Sequence, residues 1–182
     1  MRLVLIRHAA SDHRPGADDG LTQIGVGQAR DLASRFRTSC EVADCDTFLC
    51  SPLPRARQTA DLLLSELPVD NLIEDPELCE MNDFVGNSGG SSRTESFSSF
   101  RARVEATLQR LAREHVEDTV VAVTHAGFIL TSLIALFNIP RPGTGARLDP
   151  DHASLTEWRK LEGIWRLVQY NVRGPESFAG RG

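Results

Sequence analysis

The sequence lacks any hydrophobic run long enough to cross a lipid bilayer. A transmembrane helix needs about 20 predominantly apolar residues, and the apolar stretch GFILTSLIALFNI at 127–139 is much shorter. We expect no secretory signal at the start of the sequence either. A signal peptide needs an apolar segment of about 7 to 15 residues, whereas the one after Arg2 reaches only from 3 to 6 before it meets Arg7. We therefore expect a cytoplasmic protein that has no membrane partner.

Cysteine is scarce and follows no metal-binding or redox pattern. The chain has four cysteines and no Cys-x-x-Cys pair, and their spacing matches no zinc motif. We expect reduced thiols. The four positions are Cys40, Cys45, Cys50 and Cys79.

An excess of basic residues is also missing. Lys and Arg total 20 against 25 Asp and Glu, which gives a formal net charge of -5. Proteins that bind nucleic acids generally carry a basic stripe, so we expect no nucleic-acid partner. Any anion that this protein binds must be held by a local cluster of positive groups.

The 182 residues, 41% hydrophobic and 25% charged, fit one soluble globular domain. We assign this domain to residues 1–173 and expect a flexible tail at 174–182, the segment GPESFAGRG. The length is sufficient to enclose a hydrophobic core.

Strand and helix patterns alternate along most of the chain. Alternation of this kind predicts a largely parallel sheet with helices on both faces. A Gly- and Ser-rich loop is predicted at 80–99, and a terminal hairpin near the end of the chain. The predicted strands are 3–6, 47–50 and 119–125. The predicted helices begin behind Thr22 as N-cap, at 57, near 100 and at 127. The hairpin pairs 153–160 with 164–172.

Polar side chains stand at the end of each of the three predicted buried strands. Arg7 and His8 come after the first, Ser51 comes after the second, and His125 ends the third. Ligands of open parallel sheets bind beyond the carboxyl ends of the strands, so these side chains should meet in one crevice. Burying them would cost several kcal/mol without partners, and an anionic ligand is a suitable partner.

This set of residues suits the transfer of a phosphoryl group. Arg7 and Arg55 provide planar guanidinium groups for oxygen contacts, and His125 adds a further donor. His8 can attack phosphorus if one ring nitrogen is held as N–H, and Glu80 can give the leaving alkoxide its proton.

Two of these assignments have competitors nearby. Arg57 competes with Arg55, although residues two apart on a helix do not share a face. Glu77 and Asp83 are carboxylates that compete with Glu80.

Five motifs resemble those of the histidine phosphatase superfamily, which is also called phosphoglycerate mutase-like. They occur in the family's order and are scattered over most of the chain: LIRHAAS, LTQIGVGQA, SPLPRARQTA, LCEMNDFVG and VAVTHAGFI. The resemblance implies a single-domain α/β three-layer sandwich with a mixed, mostly parallel central sheet flanked by helices.

The resemblance also implies the role of each residue. His8 is the phosphorylated nucleophile, Glu80 is the proton donor and acceptor, and Arg7, Arg55 and His125 bind the phosphate. No metal and no cofactor is implied. We assign three further candidates for substrate binding: Ser11, Arg14 and Ala126.

The chain departs from the family pattern at three places. Ala9 replaces the usual glycine after the Arg-His pair, Arg14 stands where many members have asparagine, and the segment after Glu80 is short and rich in Gly and Ser. A short segment leaves the site open to water, which favours hydrolysis over return of the phosphoryl group. We therefore predict a phosphomonoesterase acting on a small phosphorylated substrate, with a phosphoprotein as an alternative.

Three other functions remain open from the sequence. A phosphoglycerate mutase would use the same residues, a regulatory protein could bind phosphate without turnover, and His8, His125 and Glu80 could ligate a metal. The remaining histidines, His13, His115 and His152, have no motif context and are predicted to lie at the surface. The sequence does not predict the oligomeric state.

Overall fold

The structure is a computed structural model that describes residues 1–12, 20–39, 42–81, 95–140 and 148–173. The predicted tail at 174–182 and most of the predicted Gly- and Ser-rich loop, 82–94, lie outside these ranges.

Strands and helices alternate in the described chain, and a hairpin ends it, as the sequence predicted. The described elements are, in chain order, β1 (Arg2–Arg7), α1 (Gln23–Ser39), β2 (Thr47–Cys50), α2 (Pro54–Leu64), β3 (Leu72–Glu74), a 3-10 turn (Pro76–Leu78), α3 (Phe97–Glu114), β4 (Thr119–Thr124), α4 (Ala126–Leu136), β5 (Leu155–Leu161) and β6 (Ile164–Val172).

The six described strands form one sheet in the order β3-β2-β4-β1-β5-β6. The first four strands in this order are parallel, and β5 and β6 are antiparallel to their neighbours. The mixed, mostly parallel sheet is therefore confirmed. Because β2, β4 and β1 are adjacent, their carboxyl ends lie side by side.

The sheet is covered on both faces, which gives the predicted three layers. Alternate residues of β1 point to opposite faces. Val4 and Ile6 pack in a core with residues of α1 and α2, whereas Leu3 and Leu5 pack in a second core with residues of α3 and α4. The central strand β4 is buried along its whole length, as expected for a strand with helices on both sides.

Three local features differ from the sequence predictions. Helix α2 begins at Pro54, before the predicted start at 57, because proline is well suited to the first turn of a helix. Helix α3 begins at Phe97, inside the predicted loop, where the Ser96 side chain accepts a hydrogen bond from Ser99 N and caps the helix. Strand β3 was not predicted, since it has only three residues.

The apolar helix α4 is largely buried in the second core. None of the helices among the described residues is long and apolar enough to cross a membrane.

Candidate active site

The ends of β1, β4 and β2 bring together the polar residues that the sequence placed after the strands. His8 directly follows β1, His125 follows β4 and Ser51 follows β2. All three residues are buried. The ring centroids of His8 and His125 are 5.1 Å apart. Arg55 lies in the first turn of α2 and is only 4% exposed. The predicted crevice is therefore a cluster of buried polar groups.

His8 presents one unprotonated ring nitrogen. Its Nδ1 lies 2.8 Å from the carbonyl oxygen of Ala9. A carbonyl can only accept, so Nδ1 carries the hydrogen and Nε2 keeps its lone pair. Burial lowers the pKa of His8 to about 3, and the positive charges of Arg55 and Arg7 act in the same direction. His8 is consequently neutral at neutral pH.

His125 is held by the hydroxyl group of Ser51. The distance from His125 Nε2 to Ser51 Oγ is 2.9 Å. Nδ1 of the same ring is buried and has no hydrogen-bond partner in the part of the chain that the structure describes. Burial lowers the pKa of His125 well below its ordinary value, and the charges of His8 and of three arginines, Arg55, Arg7 and Arg103, act in the same direction. Buried polar groups normally have a hydrogen-bond partner, and an anionic ligand can provide the partner that this ring nitrogen lacks among the described residues.

Arg7 is oriented by two acceptors. Its Nη1 donates to the carbonyl oxygen of Pro150 at 2.6 Å, and its Nη2 lies 3.0 Å from His152 Nε2. Burial lowers the pKa of Arg7, while the carboxylates of Glu80, Asp149 and Asp151 oppose that change. The guanidinium group thus has a fixed orientation beside a carboxylate.

The structure separates Arg55 from its competitor Arg57. Arg57 has a side chain that is 42% exposed, and it pairs with Asp61 and Glu74 on the outside of α2. Arg55 is buried and its charge lowers the pKa values of both His8 and His125. Arg55, rather than Arg57, is therefore the arginine of this cluster.

Glu80 is held at the first turn of α4. Its Oε2 accepts from Gly127 N at 2.9 Å, and its Oε1 accepts from Met81 N at 2.8 Å. A Cβ atom on Gly127 would lie 2.1 Å from Oε1, so the carboxylate needs a glycine at this position. Of the two competing carboxylates, Glu77 belongs to the 3-10 turn, and Asp83 lies outside the described residues.

The three candidates for substrate binding have different positions. Ser11 is half-buried and forms a β-bridge with Leu21. Ala126 is half-buried and is the first residue of α4, directly after His125. Arg14 lies outside the described residues.

Sequence reasoning missed two residues near this cluster. His152 was predicted to lie at the surface, but it is half-buried, contacts Arg7, and has its ring centroid 5.6 Å from that of His8. Arg103 was not selected at all, yet it is buried and donates to the carbonyl oxygens of Glu77 and Cys79. Both residues lie outside the sequence motifs, and neither has a local pattern that would reveal these contacts.

The described residues contain no group of three or more His, Cys, Asp or Glu side chains placed to hold a metal ion. The geometry therefore gives the metal-ligand hypothesis for His8, His125 and Glu80 no support within that part of the chain. What the cluster does combine is a neutral imidazole, two arginines and a carboxylate. This combination can bind an oxyanion and supply both a nucleophile and a proton.

A family model described as the histidine phosphatase superfamily (branch 1) matches residues 3–85 and 83–173 of the chain. An adenosylcobalamin/alpha-ribazole phosphatase of Salmonella typhimurium is 28% identical over 197 residues, covering 92% of this chain and 90% of that protein.

Solved structures of phosphatases share the fold. A mycobacterial glucosyl-3-phosphoglycerate phosphatase is 23% identical with a TM-score of 0.74, and the match covers 95% of this chain and 99% of that one. A phosphoserine phosphatase of Entamoeba histolytica is 20% identical with a TM-score of 0.72, covering 93% and 96%.

Proposed function

The chain belongs to the histidine phosphatase superfamily, branch 1, and is a phosphatase of that family; from this premise we propose that it is a metal-independent phosphomonoesterase that works through phosphorylated His8. The observation that carries the proposal is the state of His8, which is neutral, buried and committed through Nδ1 to a carbonyl. Nε2 is therefore the ring nitrogen that carries the lone pair needed for attack on phosphorus.

In the first step His8 Nε2 forms a bond to phosphorus while the bond from phosphorus to the ester oxygen breaks. The leaving alkoxide takes its proton from the carboxyl group of Glu80. Protonation of the leaving group by a positioned acid commonly contributes about 10²- to 10⁴-fold to the rate.

In the second step water attacks phosphorus, the bond from Nε2 to phosphorus breaks, and inorganic phosphate leaves. Glu80, now a carboxylate, accepts the proton of the attacking water and regains its starting state. Arg7, Arg55 and His125 face the charge of the phosphoryl oxygens throughout. Donors and positive charges fixed in advance stabilise the transition state without having to reorganise.

We propose a small phosphate monoester in the cytoplasm as the substrate. The relatives named above are phosphatases of different compounds, so their names support the reaction class more strongly than any one substrate. Ser11, Arg14 and Ala126 remain our candidates for contacts to the part of the substrate beyond phosphorus.

The first experiment is phosphate release from p-nitrophenyl phosphate and a panel of natural phosphomonoesters, with a chelator present. We expect turnover by the wild-type protein and its loss in His8→Ala. His115→Ala is the matched control, because His115 pairs with Asp118 at the far end of α3, and it should retain activity. Full activity in His8→Ala would contradict the proposal.

A second experiment traps the intermediate. Phosphohistidine is labile in acid, so the reaction is quenched in base and the phosphorylated peptide is identified by mass spectrometry. We expect the phosphoryl group on His8. Isomerisation of a phosphoglycerate without net release of phosphate would instead indicate a mutase, and tight phosphate binding without any turnover would indicate a regulatory protein.

A further inference from the structure

His152 accepts a hydrogen bond from the arginine that follows β1. Its Nε2 lies 3.0 Å from Arg7 Nη2. Arginine can only donate, so His152 Nε2 must be unprotonated in this contact. The ring also lies beside the proposed nucleophile, with a distance of 5.6 Å between the ring centroids of His152 and His8. A third histidine therefore adjoins the phosphate-binding groups, although no sequence motif contains it.

The backbone around His152 is tied to the end of β1. Arg7 N donates to Ser154 O at 3.1 Å, and Ala153 N donates to Arg7 O at 3.1 Å. Ala153 has a φ of 54°, which is the left-handed region that residues other than glycine seldom adopt. On the other side, Asp151 N donates to the side chain of Asn171 at 2.6 Å. These contacts fix the place of His152 relative to Arg7.

Arg7 has five N–H donors. One N–H of Nη1 donates to Pro150 O, and one N–H of Nη2 donates to His152 Nε2. Nε is buried and has no hydrogen-bond partner within the described ranges. The two acceptors thus fix the plane of the guanidinium group and leave donors on three nitrogens for a ligand. A guanidinium group held in this way suits two oxygens of one phosphoryl group.

We propose that His152 is a positioning residue for phosphate binding and acts by fixing the orientation of the Arg7 guanidinium group. This inference rests on the proposed function, because it takes the ligand of Arg7 to be a phosphoryl group. Without His152, the contact to Pro150 is the one hydrogen bond that the Arg7 side chain keeps among the described residues, and the guanidinium group can rotate about it. Part of the binding free energy of the anion must then be spent on reordering the arginine.

The first test compares His152→Ala with His152→Gln, whose amide oxygen can accept from Arg7. The binding of inorganic phosphate is measured by calorimetry, and KM and kcat are measured separately. A hydrogen bond from a charged donor supports an effect of about ten-fold. We expect His152→Ala to weaken phosphate binding by about ten-fold and to raise KM more than it lowers kcat, and His152→Gln to restore most of both. Phosphate affinity in His152→Ala equal to that of the wild type would overturn the inference.

The second test asks whether His152 acts through Arg7. Phosphate binding is measured for Arg7→Ala alone and for Arg7→Ala with His152→Ala. If His152 positions Arg7, its removal has no further effect once Arg7 is gone. An undiminished effect of His152→Ala in the Arg7→Ala background would show a direct contact with the anion and would overturn the inference.

The two proposals fail in different ways. Wild-type protein that binds phosphate but releases none from any ester contradicts the proposed function, while the binding comparison still tests His152. Conversely, wild-type turnover together with unchanged phosphate affinity and KM in His152→Ala contradicts only the role of His152. Circular dichroism of each variant establishes that it is folded, and His152→Gln provides the comparison if His152→Ala is not.

Discussion

At Gly127 a hydrogen atom occupies the place where any other residue would put a carbon atom 2.1 Å from Oε1 of Glu80. The same residue donates its backbone N–H to Oε2 of that carboxylate. The glycine therefore allows the close approach, and its peptide group holds the carboxylate there. The VTHAGF segment thus contains both His125 and, two residues later, the glycine whose backbone N–H holds the Glu80 carboxylate.

We expect Gly127→Ala to lower kcat by about 10- to 100-fold on esters of alcohols, because the added methyl group displaces Glu80 and removes part of a contribution typical of a general acid. The measurement is steady-state phosphate release. Gly27→Ala is the matched control, because a Cβ atom on this exposed glycine of α1 would meet no other heavy atom of the described residues within 4 Å. Wild-type kcat in Gly127→Ala would show that the position of Glu80 is unimportant for turnover.

The site residues that the sequence predicts are those that follow strands or stand in motifs. The structure brings Arg7, His8 and His125 together because their strands are neighbours. His152 could not be predicted in this way. It precedes the antiparallel strand β5, and only the pairing of β5 with β1 places it beside Arg7. Its neighbours in sequence give no sign of that pairing.

At the scale of elements, the Arg103 side chain of α3 connects the backbone that precedes Glu80 to the side chain of Glu95. Arg103 donates to the carbonyl oxygens of Glu77 and Cys79 at 2.8 and 3.0 Å. It also makes a two-pronged ion pair with Glu95, at 3.0 and 2.8 Å. The backbone that carries Glu80 is thereby fastened to α3, and the planar fork of arginine suits this set of acceptors.

We expect Arg103→Lys to impair chiefly the protonation of the leaving group, because an ammonium group cannot make the same set of contacts and the Glu80 backbone loses its support. Turnover of an alkyl phosphate should fall by about ten-fold or more, whereas p-nitrophenyl phosphate should lose much less, since its phenolate leaves with little help from an acid. Steady-state rates on the two esters give the comparison.

Arg101→Lys is the control for this substitution, because Arg101 lies on the same helix and pairs with Glu105 at the surface. It should leave both rates unchanged. Equal losses on the two esters in Arg103→Lys would show a general loss of structure instead of a misplaced acid. Glu95→Gln, which weakens the same ion pair from its other end, should give the same selective loss.

The elements that the sequence predicts well are the buried ones. The predicted strand at 47–50 has the observed bounds, and the one predicted at 119–125 ends one residue earlier, at Thr124; both have apolar, β-branched runs that end at polar residues. Strand β3 escaped prediction since it is short and has two exposed residues of three. The ion pair between Arg103 and Glu95 could not be predicted because it depends on where two separate segments meet in space.

At the scale of the whole molecule, a chain with a formal net charge of -5 concentrates positive groups at one edge of its sheet. Arg7 and Arg55 both lower the pKa values of His8 and His125. The two histidines are kept neutral in the fold, as the proposed nucleophilic attack by His8 requires. The same arrangement makes the free energy of unfolding depend on pH.

His8 has a folded pKa of about 3 against an ordinary value of 6.5. As the pH falls below 6.5, the unfolded chain takes up a proton at His8 that the folded chain does not. Stability therefore decreases from pH 6.5 towards pH 3, by up to about 1.4 kcal/mol per pH unit for each such histidine. His125 contributes in the same direction, because its folded pKa is also lowered.

We expect His8→Asn to reduce the stability lost between pH 7.5 and pH 5.5 by about 1.4 kcal/mol relative to the wild type, as measured by urea unfolding at each pH. Between pH 8.5 and pH 7.5 His8 is neutral in both states, so the stability difference between the two proteins should stay constant there, which provides an internal control. Equal losses of stability between pH 7.5 and pH 5.5 would mean that His8 takes up its proton in the fold as readily as in the unfolded chain. That result would contradict the neutral state of the buried His8 imidazole, on which the proposed attack at phosphorus depends.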